Sequence, residues 1–185
     1  MDAYVYLQVQ PGAVREVMMQ LPAKQGVRRA VTVVGEWDVM ALVEGTDFAQ
    51  VANVVLSQLH QIEGVVRTLT APVVPPDRIG ITGGAFASPA TPVPIADACY
   101  VHIRAQAGAV EGLVERLSEV DDVSGYAVLG GEYDLVVAIP HPWEVASGII
   151  IDRILTLPGV VSTTTLVAVS VVESEEDRDQ FSSWS

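Results

Sequence analysis

Two short motifs place a glycine, an aromatic ring and a carboxylate within four residues. The first is Gly35-Glu36-Trp37-Asp38 and the second is Gly131-Glu132-Tyr133-Asp134. An aromatic ring can stack on a bound molecule, and a carboxylate can hold an ammonium group. The competing interpretation is a simple turn, because glycine adopts positive φ and aspartate bonds nearby backbone amides. The motifs by themselves leave both interpretations open.

Hydroxyl side chains form a second polar set, in two stretches that are rich in β-branched residues. Thr68 and Thr70 belong to the first stretch, and the run Ser-Thr-Thr-Thr at 162–165 belongs to the second. If each stretch lies beside a motif, its hydroxyls can bond the carboxylate of a ligand. Threonine is also favoured on half-buried strands by its β propensity, so this function stays a hypothesis.

No other arrangement of residues in the sequence indicates catalysis. The three histidines, His60, His102 and His141, do not have the spacing of metal or haem ligands. The sequence also lacks a Gly-x-Ser-x-Gly turn, a phosphate-binding loop and a pair of cysteines. We therefore predict no catalytic residue, no metal and no cofactor.

The motifs recur because the chain is an internal duplication. Residues 4–38 align without a gap on residues 100–134, with eleven of the thirty-five positions identical, and the register resumes one residue shorter at Gly64 and Gly159. A repeat of this length is a domain and not a solenoid unit. We predict a first domain at 1–74, a Pro/Gly-rich linker at 75–98, a second domain at 99–173 and an acidic flexible tail at 174–185.

Each repeat shows the same order of predicted elements, strand-helix-strand-strand-helix-strand. Residues 3–10 alternate in polarity as a strand does, and Val14, Val17, Met18 and Leu21 have helical spacing. Residues 28–34 and 38–43 predict a hairpin, and residues 65–71 and 160–172 predict the closing strands. The second helices are predicted to bury two equivalent sets of residues: Phe48, Val51, Ala52, Val55, Leu59 and Ile62, and Trp143, Ala146, Ser147, Ile150, Ile154 and Leu157.

This order predicts an α+β fold, with two tandem ferredoxin-like βαββαβ sandwiches. The helices would cover one face of each sheet. We expect the other face to be covered by the second copy, so that the sheets pack on each other as an internal pseudo-dimer of the dimeric α+β barrel type.

The charge of the chain argues against a nucleic-acid partner. The formal net charge is −13, with six acids and five bases in residues 3–74, and nine acids and three bases in residues 99–172. Nucleic-acid binders need a basic stripe, and Arg28-Arg29 is the only adjacent basic pair. We predict no direct contact with nucleic acid.

The compartment is predicted from absent signals and from one cysteine. No apolar run is long enough to span a bilayer, and the first residues have no secretory pattern. Cys99 has no partner in the chain, which fits a reducing compartment and a small buried side chain at the start of a strand. We therefore predict a cytoplasmic protein with no membrane contact.

In order and spacing, these motifs resemble the effector-binding (RAM) domain of the Lrp/AsnC, or feast/famine, transcriptional regulators. The resemblance rests on Gln10-Pro11-Gly12, on Gly-Glu-Tyr-Asp-Leu-Val-Val at 131–137 with its counterpart at 35–41, and on Pro-Gly-Val-x-x-Thr-x-Thr at 158–165. It covers both repeats but not the linker or the tail. The first copy departs from the closing pattern at Glu63, which replaces the proline.

The resemblance implies a fold that dimerises through its sheets, dimers that associate into rings, and an amino acid or similar effector bound where dimers meet. In that family the Gly-x-x-Asp hairpin and the closing threonines help to form the pocket. The ligand-binding residues that this implies are Gly35, Trp37, Asp38, Thr68 and Thr70, then Gly131, Tyr133, Asp134, Thr163 and Thr165.

The leading hypothesis is a non-enzymatic sensing module for an amino acid or related metabolite, acting in transcriptional or metabolic regulation. The family's regulators usually carry an N-terminal helix-turn-helix, whereas this chain begins at its first strand. We therefore expect a module without its own DNA-binding domain, which assembles with itself or with a DNA-binding relative.

Two other functions remain open from the sequence. One is an α+β-barrel enzyme, such as a cofactor-free monooxygenase or isomerase, with His102 and Glu132 as the first candidates. The other is an architectural partner of a regulator. The amino-acid-sensing ACT domain shares the topology, but the closing Thr-x-Thr pattern fits it less well.

Overall fold

The computed structural model describes residues 1–75 and 91–173. The chain divides into two compact units. Unit 1 contains Met1–Thr70, Val93–Ala96 and the described residues from Ala168 onward, and unit 2 contains Asp97–Val167 and the described part of Ala71–Pro92. Most of the predicted linker, residues 76–90, and the predicted tail, residues 174–185, lie outside the described residues.

The first repeat forms the predicted six elements. They are β1 (Asp2–Val9), α1 (Val14–Gln20), β2 (Val27–Val34), β3 (Val39–Glu44), α2 (Phe48–Val54) and β4 (Val65–Pro72). A 3-10 turn, Leu21–Ala23, follows α1, and a π turn, Val55–Leu59, continues α2. The side chain of Asp47 caps α2 by accepting a hydrogen bond from the amide of Gln50 at 2.8 Å.

The second repeat has the same elements in the same order. They are β5 (Ala98–Ala105), α3 (Val110–Leu117), β6 (Gly125–Val128), β7 (Leu135–Ile139), α4 (Trp143–Ile149) and β8 (Val160–Glu173). A π turn, Ile150–Ile154, again continues the second helix. The duplicated βαββαβ order confirms the predicted α+β fold class.

The central strands of each unit pair as the hairpins predict. In unit 1, β3 lies antiparallel between β1 and β2, and the strand order is β4-β1-β3-β2. In unit 2, β7 lies antiparallel between β5 and β6, and β8 is the other neighbour of β5. Each Gly-Glu-aromatic-Asp motif therefore lies at the turn that joins the second and third strands of its repeat, β2 to β3 in the first and β6 to β7 in the second.

Each unit also contains the end of the last strand of the other repeat. In unit 2, the amide of Gly130 donates to the carbonyl of Pro72 at 2.9 Å, and the amide of Val74 donates to the carbonyl of Val128 at 2.9 Å. In unit 1, the end of β8 from Ala168 belongs to the unit, and the strand order places β8 beside β2. The predicted division at 1–74 and 99–173 follows the sequence repeat and stays a prediction.

Both faces of β1 and β3, the two inner strands of unit 1, are buried. The helix-facing core of unit 1 is apolar and comes from strands and helices: Val5, Leu7, Val17, Leu21, Ala41, Val43, Val51 and Leu59. On the opposite face, Tyr4, Tyr6, Met40 and Leu42 are fully buried as well. A sheet buried on both faces explains why these strands are almost entirely apolar. The predicted packing of sheet on sheet stays a prediction.

The predicted apolar face of the second helices is wrong at its first residue. Phe48 and Trp143, which occupy equivalent positions, are 54% and 48% exposed. Each is the first residue of its helix, and the buried residues begin at Val51 and Ala146. Helical spacing places a side chain on the correct face, but the first turn extends beyond the edge of the core. None of the described helices has the length and apolar character needed to cross a bilayer.

Candidate functional site

The two aspartates of the motifs fasten their hairpins to the first strand of each repeat. The Asp38 carboxylate accepts a hydrogen bond from the amide of Val9 at 2.8 Å, and the Asp38 amide donates to the carbonyl of Leu7 at 3.0 Å. Asp134 makes the same bonds, with the amide of Ala105 at 2.7 Å and the carbonyl of Ile103 at 2.9 Å. The geometry therefore supplies the turn function that the sequence left open.

The aromatic residues of the motifs lie under arginine side chains and are almost fully buried. Trp37 is 2% exposed, its ring centroid lies 6.0 Å from that of Tyr6, and Arg67 Cζ lies 4.5 Å from its ring centroid. Tyr133 is also 2% exposed, with Arg104 Cζ at 5.5 Å from its ring. Protein therefore covers both rings, and the predicted stacking of these rings on a ligand stays a prediction.

The glutamates of the motifs contact the same position of the first strand in both repeats. Arg104 forms an ion pair with the Glu132 carboxylate, and its Nε donates to the Glu132 carbonyl at 3.1 Å. At the equivalent position of the first repeat, Gln8 Nε2 donates to the Glu36 carbonyl at 3.5 Å. The contact to the carbonyl is thus shared by the repeats, and the ion pair of Arg104 is added to it.

The predicted threonines of the first repeat lie on the other face of β4 from the aromatic residue. Thr68 Oγ1 lies 2.6 Å from Nε2 of His60, which ends the second helix, so Thr68 faces the helices. Successive side chains of a strand point to opposite faces, which places Thr70 with Thr68 and Arg67 on the face of Trp37. The structure therefore brings Trp37 together with Arg67 and separates this pair from the threonines.

The second repeat divides in the same way. Thr163 and Thr165 alternate with Thr164, and they share a strand face with Val167, which packs against the helix-side core. The backbone of Thr164 bonds His102 on the opposite face, where Tyr133 lies 4.9 Å from His102 between ring centroids. A ligand role for the ten predicted residues stays a prediction. A single pocket that included both the aromatic residue and the threonines of one repeat would have to contact both faces of the closing strand.

Sequence reasoning missed Arg67 as a partner of the motif. The available signal was its position directly before Thr68, since a strand that directs Thr68 to one face must direct Arg67 to the other. It also missed the ion pair between Arg104 and Glu132. The two partners are 28 residues apart in the sequence, and the pairing of β5 with β7 brings them together.

His102 is a buried imidazole at the position that Tyr6 occupies in the first repeat. It is 1% exposed, and burial lowers its pKa from 6.5 to about 4, against smaller raising contributions from backbone hydrogen bonds of Thr164 and Tyr100. Burial penalises the charged form, so His102 is neutral at pH 7. Burial likewise raises the pKa of Cys99, which is free and buried on β5 as the sequence predicts.

The buried histidine predicts a loss of stability in acid. The pKa of His102 is lower in the folded than in the unfolded chain. Its contribution to the free energy of unfolding is therefore fully present above pH 6.5 and is lost as the pH falls toward 4. The difference amounts to about 3 kcal/mol of unfolding free energy, to order of magnitude. We expect His102→Gln, which does not titrate, to remove this component, measured as the difference between the two proteins in urea-unfolding free energy from pH 7.5 to 4. Parallel pH profiles for the two proteins would contradict it.

The described part of the chain contains no group of three or more His, Cys, Asp or Glu side chains that could hold a metal ion.

Residues 2–75 match the family model of the Lrp/AsnC ligand binding domain. The resemblance that the motifs predict is thereby confirmed, and the match covers the first repeat. Among curated proteins, no sequence match to the chain was found.

Solved structures are similar to one repeat or to the whole chain. The protein TTHA0845 from Thermus thermophilus is 28% identical over 37% of this chain and 86% of its own, with a TM-score of 0.36. A transcriptional regulator from Neisseria meningitidis, NMB0573, solved as a complex with L-Met, is 21% identical over 40% of this chain and 49% of its own, with a TM-score of 0.36. The siroheme decarboxylase NirDL covers 99% of this chain and 78% of its own at 11% identity, with a TM-score of 0.63. At this identity the last similarity shows the fold alone.

Proposed function

We propose that the protein is a non-enzymatic sensing module of Lrp/AsnC type, which binds an amino acid or a related small metabolite. The observation that carries the proposal is the match of the Lrp/AsnC ligand binding domain to residues 2–75. The duplicated hairpin supports it, since the same Asp-to-amide contact holds the turn in both repeats at 2.8 and 2.7 Å. A turn fastened by this hydrogen bond can present neighbouring side chains to a ligand at a lower ordering cost than an unfastened turn.

The signal would pass through assembly with a second copy or with a DNA-binding relative. The charge of −13 opposes direct contact with DNA, because phosphate would be repelled and no basic stripe is present to release counterions. A purely architectural partner of a regulator would also assemble, but it would bind no small molecule. Ligand binding therefore separates these two functions.

Calorimetric titration of the purified chain with the twenty L-amino acids and with 2-oxo acids tests the proposal. We expect a saturable heat from at least one member of the panel, and a rise in the melting temperature with the same compound, because a ligand that binds only the folded state stabilises it. Thermal unfolding in the absence of any compound serves as the control for folding. A folded protein that gives no heat with any member would contradict the proposal.

An enzyme is the second candidate, and His102 is the observation that favours it. A buried neutral imidazole beside a tyrosine ring has the character of a general base. NirDL has been solved with an iron-uroporphyrin III analogue, and that compound is a suitable probe for this chain. A shift of its absorption on mixing, lost in His102→Gln, would support the enzyme. An unchanged spectrum would leave the sensing module as the better assignment.

A further inference from the structure

The arginine that covers Trp37 has no counterpart at the aligned position of the second repeat. Arg67 is exposed on β4, and Ser162 occupies its aligned position on β8. The arginine over Tyr133 is Arg104, which comes from β5. The two repeats therefore cover equivalent aromatic rings with arginines from different strands.

The two arginines also differ in their acidic partners. Arg104 is neutralised by its ion pair with Glu132. Arg67 makes no ion pair with any residue in the described ranges. A guanidinium carries five N–H donors in a planar fork that matches a carboxylate. The guanidinium of Arg67 can therefore donate to the carboxylate of a ligand, whereas the guanidinium of Arg104 over Tyr133 already donates to the Glu132 carboxylate.

Trp37 adds a second donor for which the described residues supply no acceptor. The residue is 2% exposed, and its indole Nε1 is buried without a hydrogen-bond partner among the described residues. Buried N–H groups are almost always paired with protein, water or a ligand, so this indole can donate to an acceptor that the described residues do not supply. The equivalent Tyr133 has no indole N–H. The indole without an acceptor and the guanidinium without an ion pair, both judged among the described residues, thus occur in the same repeat.

The charge of the two repeats favours the same location for an anion. Residues 3–74 carry a net charge of −1, whereas residues 99–172 carry −6. Repulsion of a negatively charged ligand is therefore weaker around the first repeat.

We propose that Arg67 and Trp37 form a carboxylate-binding site, and that the first repeat alone has it, so that each chain binds one carboxylate ligand. The guanidinium donates to the carboxylate, and the indole N–H gains an acceptor that the described residues do not supply. That the carboxylate belongs to an amino acid or a 2-oxo acid rests on the function proposed above.

Sodium acetate, the smallest carboxylate probe, tests the site without knowledge of the natural ligand. In a chain with Trp143→Phe and Trp184→Phe, the remaining emission comes from Trp37, directly under Arg67. We expect a saturable change of this emission with acetate at constant ionic strength. It should be lost in Arg67→Gln and kept in the control Arg104→Gln, and chloride should not produce it. An acetate response that is absent, or is the same in Arg67→Gln, would overturn the proposal.

The amino-acid and 2-oxo-acid panel separates this proposal from the function on which it rests. Any compound that binds the chain should bind with one site per chain, and Arg67→Gln should weaken it about 10- to 100-fold. Trp37→Phe, with folding checked by circular dichroism, should weaken it by a smaller factor. A panel member that binds Arg67→Gln as well as the natural chain refutes the site and leaves the sensing function in place. If acetate binds through Arg67 but no panel member binds, the carboxylate site is supported and the proposed sensing of amino acids or 2-oxo acids is refuted.

Discussion

A chain that ends at Val167 is expected to lose about 3–6 kcal/mol of unfolding free energy in unit 1, compared with a chain that ends at Glu173. The six residues removed, 168–173, belong to unit 1, where β8 is the neighbour of β2. Val169 and Val171 are 50% and 37% exposed, so the loss comes mainly from backbone hydrogen bonds, each worth about 0.5–1.5 kcal/mol net. Without them β2 becomes an unprotected edge strand.

Hydrogen exchange read by mass spectrometry measures this effect where it should arise. Amides of β2 are expected to exchange faster in the chain ending at Val167, and amides of β6 should change much less. Both chains lack residues 174–185, so the comparison does not depend on that segment. Equal protection of β2 in the two chains would show that the end of β8 does not hold it.

Alanine in place of Gly64 or Gly159 is expected to cost roughly 2–5 kcal/mol. Both glycines have positive φ, 96° and 94°, which costs other residues about 1–2 kcal/mol. An added Cβ would also lie 2.7 Å from Cβ of Ala13 or 2.6 Å from Cβ of Ala109, and such overpacking costs about 1–3 kcal/mol. Neither alanine Cβ can move away without its backbone. We expect the melting temperature to fall by about 5–15 °C.

A matched control and a rescue separate the two costs. Gly148→Ala makes the same chemical change in α4, where no described atom outside the helix's own backbone and the adjacent residues lies within 4 Å of the added Cβ, and it should stabilise the helix by up to about 1 kcal/mol. Ala13→Gly in the Gly64→Ala chain removes the contact but not the strain of positive φ, so it should restore part of the stability. A Gly64→Ala chain as stable as the Gly148→Ala chain would refute the close approach.

Local periodicity was sufficient for the elements and for the duplication. The alternation at 3–10 and the helical spacing from Val14 to Leu21 each report the environment of one element, and the structure confirms those elements. The repeat alignment also identifies Gly64 and Gly159 as equivalent positions. The need for glycine there depends on how closely each turn approaches Ala13 or Ala109, which the sequence does not show.

The sequence could not decide what surrounds the motifs. Trp37 and Arg67 are 30 positions apart in the chain, and Asp38 and Val9 are 29 positions apart. Their contacts exist because β4 and β3 both flank β1 in one register. A slip of one residue would turn Arg67 to the helix side and bring Thr68 to Trp37.

The sequence by itself determined the repeated βαββαβ order, the turn motif and the acidic balance, because these follow from neighbouring residues and from composition. Only the tertiary structure decided that the aromatic rings are covered, that the threonines face the helices and that one arginine of the two has no acidic partner among the described residues. Those properties depend on which distant strand lies alongside and on which side chain faces it. No spacing along the chain encodes them.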